Sequence, residues 1–375
     1  MSPTAPQALR WDELVGAPIQ QLPTPTVIID LPTLRRNVAQ MAAYADSLGV
    51  TLRPHWKTSK CAQVGALQLE AGAVGLTAAT AGEVEALAAA GFTDVFWAYP
   101  PVGAARVATA LWAAARTRLI VGVDSLASAE PLAEAAAAAG TPIEIRLEVD
   151  TGLGRTGVDP RRAVEVAQAL VALPGVRLEG VFTHEGHVQG VGADPARRLA
   201  TGVAAGELLV EVAEAIRADG MPLTSVSVGS TAGARSAPTV TGVTEARPGT
   251  YVYGDENQVA IGTVAPEDTA VTVLSRVISV ERGDPALIDA GIKAMSADGS
   301  MHGDGRIGTV VSDGGGVVAT GHEEHGFLRG ATGLRVGDLV RIRPNHACGL
   351  SNMHSHVVAV EDGVVVDIWP VLGRH

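Results

Sequence analysis

What most restricts this chain is a repeated alternation of short apolar strands with amphipathic helices. Strand-like runs occur at TVIID, TLRPHW, AVGLTAAT, DVFWAYP, RLIVGVDS, IEIRLEVDTG, LEGVFTHEG and SVSVGS. Helix-like runs such as LPTLRRNVAQMAAYADSLG, AGEVEALAAAG and ASAEPLAEAAAAAG lie between them. Several of these end in glycine, which accepts the left-handed backbone that closes a last helical turn. Strands separated by helices pair in parallel, because the crossover needs the length of a helix. Eight such units predict an α/β fold with a closed (β/α)8 TIM-type barrel over residues 25–264. An open doubly wound sheet is the rival, but no GxGxxG opens the first helix.

The pattern changes near residue 265. From there strands alternate with turns and helices become scarce: TAVTVLSRVISVERGD, RIGTVVSDGGGVVATG, GDLVRIRPN and SHVVAVEDGVVVDIWPV. The turns RGD, DGGG and EDGV are hairpin signals. A second, C-terminal β domain is therefore expected over 265–375, completed by residues 1–24, which cross to it before the barrel starts.

Composition excludes several function classes. Hydrophobic residues make up 47% and charged residues 18%, enough apolar material for a large core and too little charge for a disordered chain. The net charge of -12 opposes nucleic acid as a partner. It leaves a small anionic substrate open, because a local site overrides global charge. The 2 cysteines, Cys61 and Cys348, offer no disulfide framework, so a reducing cytoplasm is expected. No apolar run approaches the roughly 20 residues of a membrane span. MSPTAPQALRWDEL lacks the basic-then-apolar order of a signal peptide.

Within this frame TLRPHWKTSK stands out. Pro54 pushes Arg53 towards an extended backbone, and Lys57 then falls where a strand ends and a helix begins. A lysine at the mouth of a barrel is placed to form a covalent link with a carbonyl cofactor. Spacing alone leaves the choice between Lys57 and Lys60 open. VDTGLGRTG follows another strand and offers Arg155 to an anion or phenolate, although a surface arginine fits equally. THEGH places His184 and His187 just after a strand, and VGSTAGA offers Ser230 and Thr231 to an anion through hydroxyls and backbone N–H groups. ARPGTYVYGD adds Gly249, Thr250 and Tyr251, with Asp255 left without a role. PNHAC puts His346 and Cys348 two residues apart, on one face if the segment is a strand. Imidazole plus thiolate is a zinc-like donor pair; a buried free cysteine beside a satisfied histidine is the alternative. HEEHG, with Glu324, and HSH, with His354 and His356, are expected at the domain interface or substrate entrance.

Taken together, TPTVIIDLPTLRRN, RPHWKTSK, EVDTGLGRTG and ARPGTYVYGD, in that order, resemble the fold-type III pyridoxal phosphate enzymes with the alanine racemase type of barrel. HEEHG and PNHAC narrow the resemblance to the branch of D-serine dehydratase and D-threonine aldolase. The resemblance implies that Lys57 carries pyridoxal 5'-phosphate and that Arg155 meets its phenolic oxygen. It implies that Ser230, Thr231, Gly249, Thr250 and Tyr251 hold the phosphate. It also implies that His187 lies near the substrate, with His184 the weaker candidate, and that His346 and Cys348 bind a divalent metal. Zinc is the first choice, with manganese or magnesium as alternatives. HEGH departs from the family's HAGH at Glu185. The tyrosine that a racemase needs is missing from IDAGIKAMSADG. The implied activity is elimination of water from a D-β-hydroxy-α-amino acid such as D-serine or 3-hydroxy-D-aspartate, giving a 2-oxo acid and ammonia. Retro-aldol cleavage to glycine and an aldehyde is the alternative, and a non-catalytic pyridoxal phosphate-binding protein or a racemase comes behind both. A homodimer is implied, with one copy's metal pair reaching the other's barrel.

Overall fold

The computed structural model of the chain describes residues 10–312 and 314–374. The signal-peptide reading of the first nine residues, and that part of the expected β domain, lie outside the described residues. Seventeen strands run β1 (Thr26–Asp30), β2 (Thr51–Leu52), β3 (Leu76–Ala78), β4 (Asp94–Trp97), β5 (Arg118–Val123), β6 (Ile143–Glu148), β7 (Val176–Phe182), β8 (Ser225–Val228), β9 (Glu245–Ala246), β10 (Val271–Ser279), β11 (Ala286–Ile288), β12 (Gly308–Val310), β13 (Val317–Gly321), β14 (Gly326–Arg329), β15 (Leu339–Pro344), β16 (His356–Glu361) and β17 (Val364–Pro370). The helices are α1 (Leu31–Ser47), α2 (Ala62–Glu70), α3 (Ala81–Ala89), α4 (Ala104–Ala114), α5 (Leu126–Ala139), α6 (Ala163–Val171), α7 (His187–Gly190), α8 (Pro195–Ala218), α9 (Glu256–Ala260), α10 (Ile292–Met295) and α11 (Ala347–Met353).

Eight parallel strands form one sheet in the order β2-β9-β8-β7-β6-β5-β4-β3. The sheet closes on itself just beyond β2. His55 bridges Thr77 in parallel, and the Thr77 N–H donates to the Pro54 carbonyl at 2.8 Å. The expected barrel is therefore present, with a different strand roster. TVIID, read as the first barrel strand, is β1, and it pairs with β10 antiparallel and β16 parallel in the second sheet. The missing barrel strand is β9, only two residues long, paired with β2 and β8. A strand that short carries no alternation that a pattern can reveal.

Charge, rather than strand length, fixes β9. Glu245 is buried inside the barrel, where Oε2 accepts from Arg53 Nε at 2.8 Å and Oε1 from Arg146 Nη1 at 2.5 Å. Ser227 Oγ donates to Glu245 Oε1 at 2.6 Å, and Arg146 Nε reaches Glu179 at 2.7 Å. Arg247 continues the chain of contacts to Ser227 and to the Thr183 carbonyl. Burial alone would raise the Glu245 carboxyl, but Arg146 and Arg53 hold it well below the carboxylate range. The Arg146 guanidinium also lies 4.8 Å from the Phe96 ring centre, so its flat face is covered as its edge is paired.

The second sheet runs β11-β14-β13-β12-β15-β10-β1-β16-β17. β10 pairs with β15 and, through its last residues, with β11, so six strands close into a small antiparallel barrel. Trp11, Leu14 and Ile19 pack on Ile28, Leu274 and Val358 of this sheet, which places the described start of the chain on it. Among the described residues no helix is long and apolar enough to cross a membrane.

Removing the Glu245 charge leaves two buried arginines without their shared partner. Glu245→Gln is expected to cost about 3–5 kcal/mol in a urea unfolding titration. Asp268→Asn, which breaks the exposed contact with Arg36, should change stability by less than about 1 kcal/mol.

Candidate active site

A cavity of about 570 Å3 opens where the loops after β2, β6, β7, β8 and β9 meet β15 and α11. Lys57 lines it from a single 3-10 turn, Trp56–Thr58, that follows β2. Arg155 enters from the loop after β6, His184 from the loop after β7, and Arg247 from the end of β9. Lys60 does not line it. Its ammonium is buried against Glu83 at 2.8 Å and the Gly373 carbonyl at 2.7 Å. The two lysines that spacing left equivalent are thus in different environments.

The turn after β8 and the residues after β9 form an anion cradle. Ser230, Thr231, Gly249 and Thr250 all line the cavity. Among the described residues their backbone N–H groups find no acceptor in the protein. Gly249 allows the close approach that makes the cradle: a Cβ there would sit 3.0 Å from Thr58 Oγ1 and 3.1 Å from His55 Cβ. Four such donors on residues that line one cavity suit a phosphate group. Tyr251 does not line the cavity. Its hydroxyl accepts from Gln68 at 2.9 Å, and its N–H donates to Thr231 Oγ1 at 3.1 Å. Burial pushes that phenol above its ordinary range.

Glu185, where HEGH departs from HAGH, supports the cradle from behind. It is fully buried and accepts from the Gly229 N–H at 2.8 Å and from Ser230 Oγ at 2.9 Å. His184 Nδ1–H donates to the Gly229 carbonyl at 2.6 Å, which assigns the tautomer. Burial and the charge of Lys57 push His184 down to about 3, so it is neutral in the working range. Burial, then the charges of Lys57 and Arg247, also push His55 well below its ordinary value. His187 heads α7 and packs against Gly152 in the loop before Arg155, outside the cavity. The order of the two histidines is therefore the reverse of the sequence expectation: the first faces the cavity. Orientation at a strand end is set by the backbone turn, which the residue types do not disclose.

His346 and Cys348 both line the cavity. They are not on a strand. β15 ends at Pro344, and His346 is the N-cap of α11, with Cys348 in its first turn. Buried Ala347, Leu350 and Ser351 show the helical spacing that PNHAC alone could not. Asp255 holds this turn in place. Its Oδ2 lies 3.2 Å from His346 Nδ1 and accepts from the Ala347 N–H at 3.1 Å, while Oδ1 takes the Gln258 N–H at 2.9 Å. The thiolate of Cys348 raises the His346 imidazole far above its ordinary value, against burial and with help from Asp255. Burial would raise the Cys348 thiol, but His346 holds it below the ordinary thiol range. Thr58 Oγ1 lies 3.2 Å from Cys348 Sγ, so the donor pair and the Lys57 turn meet within one chain. A neighbouring copy is not required to bring them together, contrary to the sequence expectation. Among the described residues no group of three or more His, Cys, Asp or Glu is placed to hold a metal. Imidazole and thiolate are a suitable donor set for a borderline-soft divalent ion, with its other positions left for water or substrate.

The remaining histidines are elsewhere. Glu324 pairs with Lys293 at 2.8 Å on the surface, and His322 meets the Phe327 ring edge-on. His354 is held by the Ala294 carbonyl, and His356 packs on Trp11. None of these lines the cavity.

An alanine racemase N-terminal domain model matches residues 29–257, and a serine dehydratase domain model matches residues 270–360. The chain is 39% identical to D-threo-3-hydroxyaspartate dehydratase of a Delftia species, over 93% of this chain and 97% of that one. It is 31% identical to D-threonine aldolase of an Arthrobacter species, over 96% and 94%. A solved D-threo-3-hydroxyaspartate dehydratase carrying a cysteine-to-alanine substitution, in a metal-free form, superposes with a TM-score of 0.86 at 35% identity, covering 95% of this chain and 99% of that one.

The two cysteines should differ sharply in reactivity. Iodoacetamide at neutral pH, in protein treated with chelator, should label Cys348 and spare Cys61, which is buried and pushed up to about 12. His346→Asn should slow that labelling, as read by peptide mass mapping.

Proposed function

The chain belongs to the family that joins an alanine racemase N-terminal domain to a serine dehydratase domain, and on that premise we propose that it is a pyridoxal 5'-phosphate- and divalent-metal-dependent lyase that eliminates water from D-β-hydroxy-α-amino acids of the 3-hydroxy-D-aspartate or D-serine type. One observation carries the reading. A half-buried lysine, four unpaired backbone donors and an imidazole–thiolate pair line a single cavity. Lys57 is the attachment point of the cofactor. The N–H groups of Ser230, Thr231, Gly249 and Thr250 take its phosphate, and Arg155 takes its phenolic oxygen. Tyr251 supports this cradle through its contact with Thr231. Bound pyridoxal phosphate supplies an electron sink for the substrate's α-carbon. A divalent ion held by His346 and Cys348, zinc before manganese or magnesium, supplies Lewis-acid polarisation of the β-hydroxyl.

The chain's own groups do the rest. The Lys57 amine would be the base that takes the α-proton. His184 and His55, both held neutral by burial, line the same cavity as Lys57. Asp255 orients the His346 ring and caps the turn carrying Cys348, so the donor pair is fixed before substrate arrives. His187, outside the cavity, is proposed to support the Arg155 loop through its packing on Gly152. The products are a 2-oxo acid and ammonia. We place the functional division of the chain near residue 265, with β1 counted in the second unit. A homodimer and a cytoplasmic location complete the proposal, the latter supported by two free cysteines.

Retro-aldol cleavage needs a base for the β-hydroxyl proton. Glu185 and Glu324, the carboxylates of HEGH and HEEHG, are committed elsewhere. Asp298 is the one carboxylate lining the cavity among the described residues, and it keeps the aldolase reading in play.

Product analysis decides. With 3-hydroxy-D-aspartate or D-serine the protein should release 2-oxo acid and ammonia. Glycine plus aldehyde as the main products, lost in Asp298→Asn, would establish the aldolase instead. Borohydride should trap the cofactor on Lys57, and Lys57→Ala should abolish the adduct. Asp255→Asn should weaken metal binding by about 10–100-fold in a chelator competition, with cofactor binding unchanged.

A further inference from the structure

The turn that carries Lys57 is held by contacts that the chemistry does not explain. It is one 3-10 turn, and the N–H of Lys57 itself has only a 3.5 Å contact with His55 Nδ1. Its exit requires Lys60 at φ +53, a left-handed conformation uncommon for a residue with a side chain. That geometry lets the Lys60 N–H donate to the Trp56 carbonyl at 2.9 Å and the Trp56 indole N–H to the Cys61 carbonyl at 2.9 Å.

The Lys60 side chain locks this exit from two directions. Its ammonium meets Glu83 Oε1, and Glu83 Oε2 accepts from the Ala79 N–H at 2.7 Å, just past the end of β3. The ammonium also donates to the Gly373 carbonyl, while the Leu372 N–H donates to the Lys60 carbonyl at 2.8 Å. Val371 is anchored in turn by its N–H on the Ser355 carbonyl at 2.9 Å, just before β16. Gly373 fits only as glycine, at φ +59, with a Cβ falling 2.8 Å from the Gly82 carbonyl oxygen. The two side chains are buried, Lys60 to 4% and Glu83 to 1% of full exposure. An apolar pair would cover the same space without desolvating two charges. A buried pair is best justified by the geometry it dictates.

We propose that Lys60 is a positioning residue: clamped between Glu83 and the Val371–Arg374 segment, it fixes the turn from which Lys57 enters the cavity, and so makes that segment part of the active-site frame. The inference rests on the reading of Lys57 as the cofactor lysine. Borohydride mapping on the unaltered protein tests that reading first, because an adduct on another lysine refutes it whatever Lys60 does.

Three variants then test the clamp. Lys60→Met/Glu83→Gln removes both charges together, leaving neither stranded. Gly373→Val displaces the clamping segment and keeps both charges. Lys60→Arg retains the cation. With pyridoxal 5'-phosphate as the probe, the readouts are its release rate, the pH at which its visible absorbance titrates, the fraction trapped on Lys57, and thermal unfolding. Misplacement of a reacting group by about 1 Å costs on the order of 100-fold in rate. The first two variants should therefore release the cofactor at least about ten-fold faster and shift the titration of its absorbance while remaining folded, and Lys60→Arg should restore much of the loss. Unaltered release and titration in the double variant or in Gly373→Val would overturn the proposal. Release that merely follows the unfolded fraction across all three variants would overturn it as well.

Discussion

The barrel depends on one carboxylate. Glu245 receives Arg53 from just after β2, Arg146 from β6 and Ser227 from β8, and so joins several sides of the ring at a single point. Its own strand, β9, has two residues and few ladder bonds to contribute. Ionic convergence does there what strand length does elsewhere. The same contacts lead outward. Ser227 is shared with Arg247, which reaches the cavity. Desolvating these charges is costly, and the arrangement holds because every one of them has a partner. An apolar interior would pack equally well. It would not fix the direction of Arg247, whose guanidinium lies over Phe96 and Phe182.

The two sheets are less separate than the change of pattern near residue 265 suggests. β1 is the first strand among the described residues, yet it sits between β10 and β16. It then leads directly into α1, with Asp30 capping that helix through the Thr33 N–H. The site is assembled across the same junction. Asp255 leaves the end of the barrel segment to hold α11, and Thr58 touches Cys348. Arg343 of β15 and His302 both bind the buried carboxylate of Glu256, next to Asp255 in α9. The residues lining the cavity therefore have their backbone positions fixed by both sheets.

Much of this was legible in the residues. Alternation of apolar strands with glycine-ended helices showed the barrel, and hairpin turns showed the second sheet. Lys57, Arg155 and the His346–Cys348 pair were singled out by the ordered motifs of the family resemblance, because spacing alone left Lys57 level with Lys60 and Arg155 readable as a surface residue. What stayed hidden has a physical cause in each case. β1 carries an ordinary strand pattern, and nothing local says which sheet an apolar strand joins. β9 is too short to have a period. The helix at His346 is set by buried residues further along and by an acceptor some ninety positions earlier, Asp255, which the sequence reading noticed and left without a role. Glu185 stood out only as a departure from HAGH; that it turns inward to Gly229 depends on two loops meeting.

The closure of the barrel has a mechanical consequence. On one side β5, β6 and β7 are six or seven residues long and pair along most of their length, with one register shift between β6 and β7 at Ile145/Arg146, and Arg155 and His184 stand on the loops that follow the last two. On the other side the ring is completed by two two-residue strands and a single bridge at His55, beside Lys57. The wall under Arg155 and His184 is held by strand ladders, and the wall beside Lys57 is held by buried ion pairs, Arg53 with Glu245 and Lys60 with Glu83. Unequal strand lengths, which look like irregularity in a ring of eight, thus divide the barrel into a half built on backbone and a half built on charge.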